Sequence, residues 1–181
     1  MTPVPNTSGA IHLVRHAMPV IDPTVPPGRW RLDAAGNAAA RTLRPRLPRD
    51  ARFLSSTEPK AVDTATALAD GEPVTVHSDL IEVGRPHLVD VDYRAVAAAY
   101  LGGTVTPDWE PHAEVVARFD GAIRESLAAD TRPLVVVTHG LAMTLWIDTV
   151  LDIGDRVAWW RRLGFPELVT VPASAIDGHG N

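Results

Sequence analysis

Two histidines in this chain directly follow short apolar runs. Arg15-His16 follows Ile11–Val14, and Thr138-His139-Gly140 follows Leu134–Val137. A neutral imidazole is a potential nucleophile toward phosphorus. Cations and helix N-termini that converge on one point form an anion site, and phosphate suits such a site. Arg15 and Lys60 are cations of this kind, with Lys60 about one turn into a helix that follows Ser55-Ser56-Thr57. Glu82 stands in a loop with Arg85 and His87 close by. A carboxylic acid there can protonate a leaving oxygen, provided it stays protonated near neutrality. Together these parts specify phosphoryl transfer through a covalent phosphohistidine. There is no carboxylate cluster of the kind that holds Mg²⁺ or Ca²⁺, so neither a metal nor another cofactor is expected.

Composition bounds the reading. At 181 residues the chain is expected to form one domain, long enough to bury its own core. The absence of cysteine excludes disulfide scaffolds, thiolate metal sites and thiol nucleophiles. A net charge of −5 and a pI of about 5.7 argue against nucleic-acid or anionic-membrane partners, while leaving room for a local basic pocket. The 17 basic residues include a single lysine, Lys60. The first ten residues lack the basic and apolar regions of a secretory signal, and no run approaches the ~18 apolar residues of a spanning helix. A soluble, cytoplasmic protein is expected. Flexible ends are expected at 1–10 and 177–181, around a domain spanning 11–176.

The elements that must position these residues are readable in outline. Short β-branched runs predict strands at Ile11–Val14, Arg52–Ser55, Val74–His77, Leu134–Val137 and Glu167–Val171. Helices are predicted at Ala34–Leu43 behind an Asp33 cap, Glu58–Leu68 behind Thr57, Tyr93–Leu101, Glu114–Leu127, Leu141–Leu151 and Asp155–Arg162. Met18–Arg31, with its four prolines, reads as a loop. Alternating strands and helices predict an α/β fold with a largely parallel sheet and helices on both faces. Residues 78–111 interrupt the alternation and read as an insertion over the active-site edge. In such sheets ligands bind at the carboxyl ends of the strands, where His16, His139, Arg15, Lys60 and Glu82 all fall.

At this point several segments match a known pattern in its order. Leu13-Val-Arg-His-Ala17 resembles the Arg-His-Gly signature of the histidine phosphatase superfamily, the phosphoglycerate-mutase-like proteins. Leu32-Asp-Ala-Ala-Gly36, Ser55-Ser56 with Lys60-Ala61 and Thr64-Ala65, Leu80-Ile-Glu82 and Val135-Val-Val-Thr-His-Gly140 resemble its later motifs. The resemblance spans about Ile11 to Ile153. It implies a phosphatase acting without metal on a phosphorylated small molecule or a phosphoprotein. It also implies His16 as nucleophile, Arg15, Lys60 and His139 on the phosphoryl oxygens, and Glu82 as general acid and then base. Glu58 and Glu72 are the alternative acids nearby, and Arg85 and His87 are candidates to read the leaving group.

Three departures stand out. Ala17 replaces a glycine, which is harmless if its φ is negative. Met18-Pro19 replaces the polar pair common in mutases, which favours hydrolysis over phosphoryl return to the substrate. Lys60 replaces an arginine, exchanging a rigid fork for a mobile point charge and predicting a slower enzyme. The competing readings are a phosphoglycerate-mutase-type transferase and a phosphate-ligand binder with degraded catalysis. His12 is expected to pack, His77, His112 and His179 to lie at the surface, and Trp109, Trp146, Trp159 and Trp160 to serve packing first. Turnover should be bell-shaped in pH, because His16 must be neutral and Glu82 protonated.

Overall fold

The two apolar clusters on either side of one strand set the layers of the molecule. The computed structural model describes residues 10–88 and 91–177. Its strands are β1 (Ala10–Arg15), β2 (Arg52–Ser56), β3 (Val74–His77), β4 (Leu134–Thr138) and β5 (Glu167–Pro172). All five residues of β4 are buried. Leu134 and Val136 face one apolar cluster, and Val135 and Val137 face another. This is the period-2 geometry of a strand covered on both faces. The order is β3-β2-β4-β1-β5. The β1–β4, β2–β4 and β2–β3 pairs are parallel, and β5 runs antiparallel to β1 at the edge.

The helices are α1 (Ala34–Arg41), α2 (Pro59–Ala69), α3 (Tyr93–Leu101), α4 (His112–Ala129), α5 (Gly140–Leu151), α6 (Arg156–Arg162) and α7 (Ala173–Asp177). Ala61, Ala65 and Leu68 of α2 join Leu43 and Leu47 over one face of the sheet. Phe119 and Ile123 of α4, Leu141, Leu145 and Trp146 of α5 and Trp160 of α6 cover the other. Among the described residues no helix is long and apolar enough to cross a membrane.

The predicted elements occur, with shifted ends. Asp33 caps α1 through a 2.8 Å bond from Gly36 N–H. α1 stops at Arg41 and gives way to a 3₁₀ turn at Arg44–Arg46 that takes in Pro45. α2 starts one residue late, with Glu58 rather than Thr57 at the N-cap position and no side-chain capping bond. Pro59 disfavours helical geometry in the residue before it, so Glu58 is extended, with ψ 133°. α4 is longer than expected, starting directly after Pro111. α7 was not anticipated. The described residues of 78–111 include a 3₁₀ turn and α3, anchored by Leu80, Val83, Tyr100 and Trp109 in the larger core cluster. The expectations for residues 1–10 and 177–181, including His179, fall outside the described residues except at Ala10, which begins β1, and at the backbone of Asp177.

Candidate active site

The strand order places the carboxyl ends of β2, β4 and β1 side by side, and the predicted residues meet there. The His16 and His139 ring centroids are 5.2 Å apart. Arg15, His16, Lys60, Glu82, Arg85 and His87 all line one cavity of about 660 Å³. His139 is fully buried beside it.

His16 is fixed by its own chain. Nδ1 lies 2.7 Å from the Ala17 carbonyl oxygen. A carbonyl can only accept, so Nδ1 carries the proton and Nε2 keeps its lone pair. Burial holds the His16 imidazole well below its ordinary pKa, and His139, Lys60 and Arg15 add to the effect. The ring is therefore neutral at neutral pH. Thr64 of α2 holds the next peptide, accepting a 3.0 Å bond from Ala17 N–H and donating to the Lys60 carbonyl. Ala17 is not among the residues with positive φ, so the missing glycine brings no strain. The glycine that does matter nearby is Gly36, where a Cβ would come within 2.7 Å of the Met18 carbonyl oxygen.

Arg15 is pinned from three sides. Nη1 donates to the Leu163 carbonyl at 2.9 Å, and Cζ sits 3.4 Å from the Phe165 ring centroid. A Cβ on Gly140 would come within 3.0–3.1 Å of the guanidinium. Glycine at the start of α5 thus leaves the arginine room. Burial lowers the Arg15 pKa to about 10, and it remains a cation.

Glu82 is oriented by helix α5. Its Oε1 accepts from Ala142 N–H at 2.9 Å and Val83 N–H at 3.0 Å, and its Oε2 accepts from Leu141 N–H at 3.2 Å. Two donors left free by the first turn of α5 are thereby satisfied. The segment carrying Glu82 is clamped from behind by Arg118 of α4. Arg118 donates to the carbonyls of Asp79, Ile81 and Glu82 and pairs with Glu110, which in turn accepts from Gly84 N–H.

His139 Nε2 lies 2.7 Å from Ser56 Oγ, and its Nδ1 is buried with no hydrogen-bond partner among the described residues. Burial, then Lys60, Arg118 and Arg15, hold its pKa well below the ordinary value. Lys60 is buried, and its ammonium bonds the Glu58 carboxylate and, at 2.8 Å, the Pro27 carbonyl. Glu58 then reaches further, because its Oε1 accepts from Glu82 N–H at 2.9 Å and lies 3.5 Å from His139 Nε2.

The sequence reading named Glu58 only as a competing acid, whereas the structure makes it the link between Lys60 and Glu82. The signal lay in the Glu-Pro-Lys triplet, where an acid two residues before the lone lysine sits at a helix N-cap. Glu72 is exposed in the turn before β3, away from the cavity. Phe165 and Arg118 were missed altogether, since their partners are remote in sequence. Trp160 lines the cavity, whereas Trp109 packs against Tyr100 and Trp146 is core. His12 is half-buried beside Thr170, His77 bonds Asp79 N–H, and His112 packs edge-on against Tyr100.

A doubly covered, mostly parallel sheet with two histidines and an arginine at adjacent strand ends defines a class of phosphate-handling folds. The chain belongs to the histidine phosphatase superfamily (branch 1), whose family pattern matches residues 11–172. Among solved structures it is similar to a mycobacterial glucosyl-3-phosphoglycerate phosphatase in complex with VO3, at 25% identity and TM-score 0.60, covering 89% of this chain and 96% of that one. It is also similar to Bacillus stearothermophilus YhfR, at 18% identity and TM-score 0.67 with 84% of each chain covered. A third likeness is to an Entamoeba histolytica phosphoserine phosphatase in complex with 3-phosphoglyceric acid, at 14% identity and TM-score 0.65, covering 93% of this chain and 99% of that one. A comparison with curated proteins gives no significant match.

Proposed function

We propose that the protein is a phosphatase that hydrolyses a phosphomonoester through a phosphohistidine on His16. The observation that carries this reading is the His16 ring, buried and neutral, with Nδ1–H committed to the Ala17 carbonyl. That commitment leaves the Nε2 lone pair as the nucleophile at the edge of a cavity lined by cations. Family membership and the phosphatases among its structural relatives support the same reaction class.

In the first step the Nε2 lone pair forms a bond to phosphorus, and the bond from phosphorus to the ester oxygen breaks. Glu82 gives its proton to the departing alkoxide. Its Oε2 holds only one backbone bond, so this is the oxygen free to carry that proton. Arg15, Lys60 and His139 face the phosphoryl oxygens as charge builds there, the electrostatic part of the rate enhancement. In the second step water attacks phosphorus and Glu82 takes its proton. The bond from phosphorus to nitrogen then breaks, and inorganic phosphate leaves. No step uses a metal ion.

Rapid quenching of the protein with 4-nitrophenyl phosphate tests this sequence. An acid-labile phosphoryl group should appear on His16 before steady-state phosphate release, and His16→Ala should lower turnover about 10⁴-fold. Substantial turnover by His16→Ala, or a phosphoryl group on another residue, overturns the assignment. Phosphate binding with no turnover by the unaltered protein points to a binder instead.

A further inference from the structure

The floor of the cavity accounts for a phosphoryl group but for little of the cavity's chemistry. Its volume of about 660 Å³ is in the range of sites that enclose a whole organic ligand, roughly 300–1,000 Å³. Above His16 the lining is apolar and comes from three segments. The Pro-rich loop gives Met18, Ile21 and Trp30, the segment before α3 gives Leu88, and the end of α6 with the turn beyond it gives Trp160 and Phe165. The wall at Trp30 is fixed in place, because its indole N–H is shared by the carbonyls of Asp22 and Val25, each at 3.0 Å.

Charge on the same lining is one-sided. Arg85, Arg94 and Arg161 line the cavity in addition to Arg15 and Lys60. Among the described residues, the one carboxylate in the lining is Glu82, which is engaged with the start of α5. This excess of positive charge stands in a chain of net charge −5. Arg85 rests against aromatic rings, with Cζ 4.6 Å from the Tyr93 centroid and 5.6 Å from that of Trp109. Its Nε is buried without a hydrogen-bond partner among the described residues. Arg94 and Arg161 are exposed and make no hydrogen bond or ion pair among the described residues. Two exposed arginines, Arg94 and Arg161, and a third, Arg85, held against the Tyr93 and Trp109 rings thus stand around an apolar chamber whose floor already holds the cations a phosphoryl group needs.

We infer that the preferred substrate is a phosphomonoester whose leaving group combines an apolar, ring-sized body with a second anionic group, carboxylate or phosphate. The body packs on Trp30, Trp160 and Leu88, and the second anion meets Arg85, Arg94 and Arg161. A small polar phosphoester would leave the apolar walls wet and the arginines unpaired. This inference rests on the phosphatase reading for its chemistry, but the shape and charge of the chamber are independent of it.

Four alkyl phosphates separate the two features at similar leaving-group chemistry. Glycerol phosphate has neither, 3-phosphoglycerate has the second anion alone, benzyl phosphate has the body alone, and 4-carboxybenzyl phosphate has both. The expected order of kcat/KM puts 4-carboxybenzyl phosphate first, about tenfold above benzyl phosphate, as a charge-assisted contact would give. A benzyl ester carrying a second phosphate in place of the carboxylate tells which anion is preferred. Trp30→Ala should reduce the benzyl-to-glycerol ratio, and the double variant Arg94→Ala/Arg161→Ala should bring the carboxybenzyl-to-benzyl ratio close to one. Ratios within one protein sample do not depend on how much of a variant is folded. Equal rates for all four esters, or ratios unmoved by these substitutions, overturn the inference. If none of the four is hydrolysed while 4-nitrophenyl phosphate is, the inference about the substrate fails; if 4-nitrophenyl phosphate is not hydrolysed either, the phosphatase reading fails. The Kd values of the matching phosphonates then decide the chamber's selectivity separately, supporting it if they keep the same order and refuting it if they are flat.

Discussion

The floor and the mouth of the cavity are built by different means. On the floor, each side chain has a partner within the protein. Arg15 is fixed by the Leu163 carbonyl and Phe165, His16 by the Ala17 carbonyl, Glu82 by α5, and Lys60 by Glu58 and the Pro27 carbonyl. At the mouth, Arg94 and Arg161 are exposed and unpaired among the described residues, on helices that present them to the opening. Strand ends and a helix N-terminus would thus preorganise the proposed bond-breaking chemistry, while loops and helix ends carry exposed charge available to a ligand. The contrast predicts that floor substitutions lower turnover for every ester, whereas mouth substitutions change the ranking among esters.

The strongest test of the floor after His16 itself is its lysine. Lys60→Ala should reduce kcat about 10²–10³-fold for esters with and without a second anion alike, as removal of a transition-state donor does elsewhere. Steady-state kinetics on benzyl and 4-carboxybenzyl phosphate check this. A loss confined to one of them would move Lys60 from the floor to the mouth. Lys60→Arg should retain or raise activity, because a guanidinium offers a fork to the same oxygens. A large loss on that exchange would mean that the Glu58–Lys60 pair is specialised for an ammonium.

Arg118 blurs the division, because it does not line the cavity and yet holds the floor. Its guanidinium gathers three carbonyls of the segment that carries Glu82 and pairs with Glu110. Arg118→Ala should lower kcat about tenfold with little change in KM, since misplacing a proton donor affects the chemical step more than binding. Arg118→Lys should recover only part, because a single ammonium cannot reach all these acceptors. A melting temperature lowered with kcat intact in the folded fraction would reduce Arg118 to a structural role.

The sequence made the floor legible and left the mouth nearly blank, for a physical reason. His16, His139 and Arg15 follow strands whose apolar runs are unmistakable, and a parallel sheet must bring those ends together. Glu82 was readable from its place after the third strand and from the Leu80-Ile-Glu82 segment, whose Leu80 lies in the core. The Glu58 link was hidden, because it depends on Pro59 forcing the preceding residue out of the helix and turning its carboxylate toward Lys60 and Glu82. Phe165 beneath Arg15 joins residues 150 positions apart, a contact that no local pattern announces. Apart from Trp160–Phe165, the chamber walls come from Met18–Trp30, Arg85–Leu88 and Tyr93–Arg94, where prolines show that the chain turns but not which way its side chains point.

The smallest expected effect separates the floor from the rest of the molecule by pH. Burial lowers the pKa of His16 and His139 well below 6.5, and it also lowers His12 and His112, which are only half-buried. In each case the unfolded chain takes up the proton first as pH falls. Stability from these groups is therefore complete above pH 6.5 and is lost progressively below it, toward the folded-state values. Glu110 and Asp130, whose pKa values are lowered, contribute stability that is lost only under more acid conditions, below their ordinary values of 4.5 and 3.8. Melting temperature should accordingly be level from pH 8 to 7 and fall between pH 6.5 and 5. The fall should be a few degrees, at about 2–4 °C per kcal/mol for a chain of this size. The double variant His16→Asn/His139→Asn should flatten that decline more than His12→Asn/His112→Asn, because the floor histidines are the more completely desolvated. Equal flattening would mean that the floor is no drier than the surface. The acid limb of turnover should lie below pH 6.5 for the same reason, since His16 stays neutral there. An acid limb centred at 6.5 or above would show that the nucleophile titrates as an exposed histidine does.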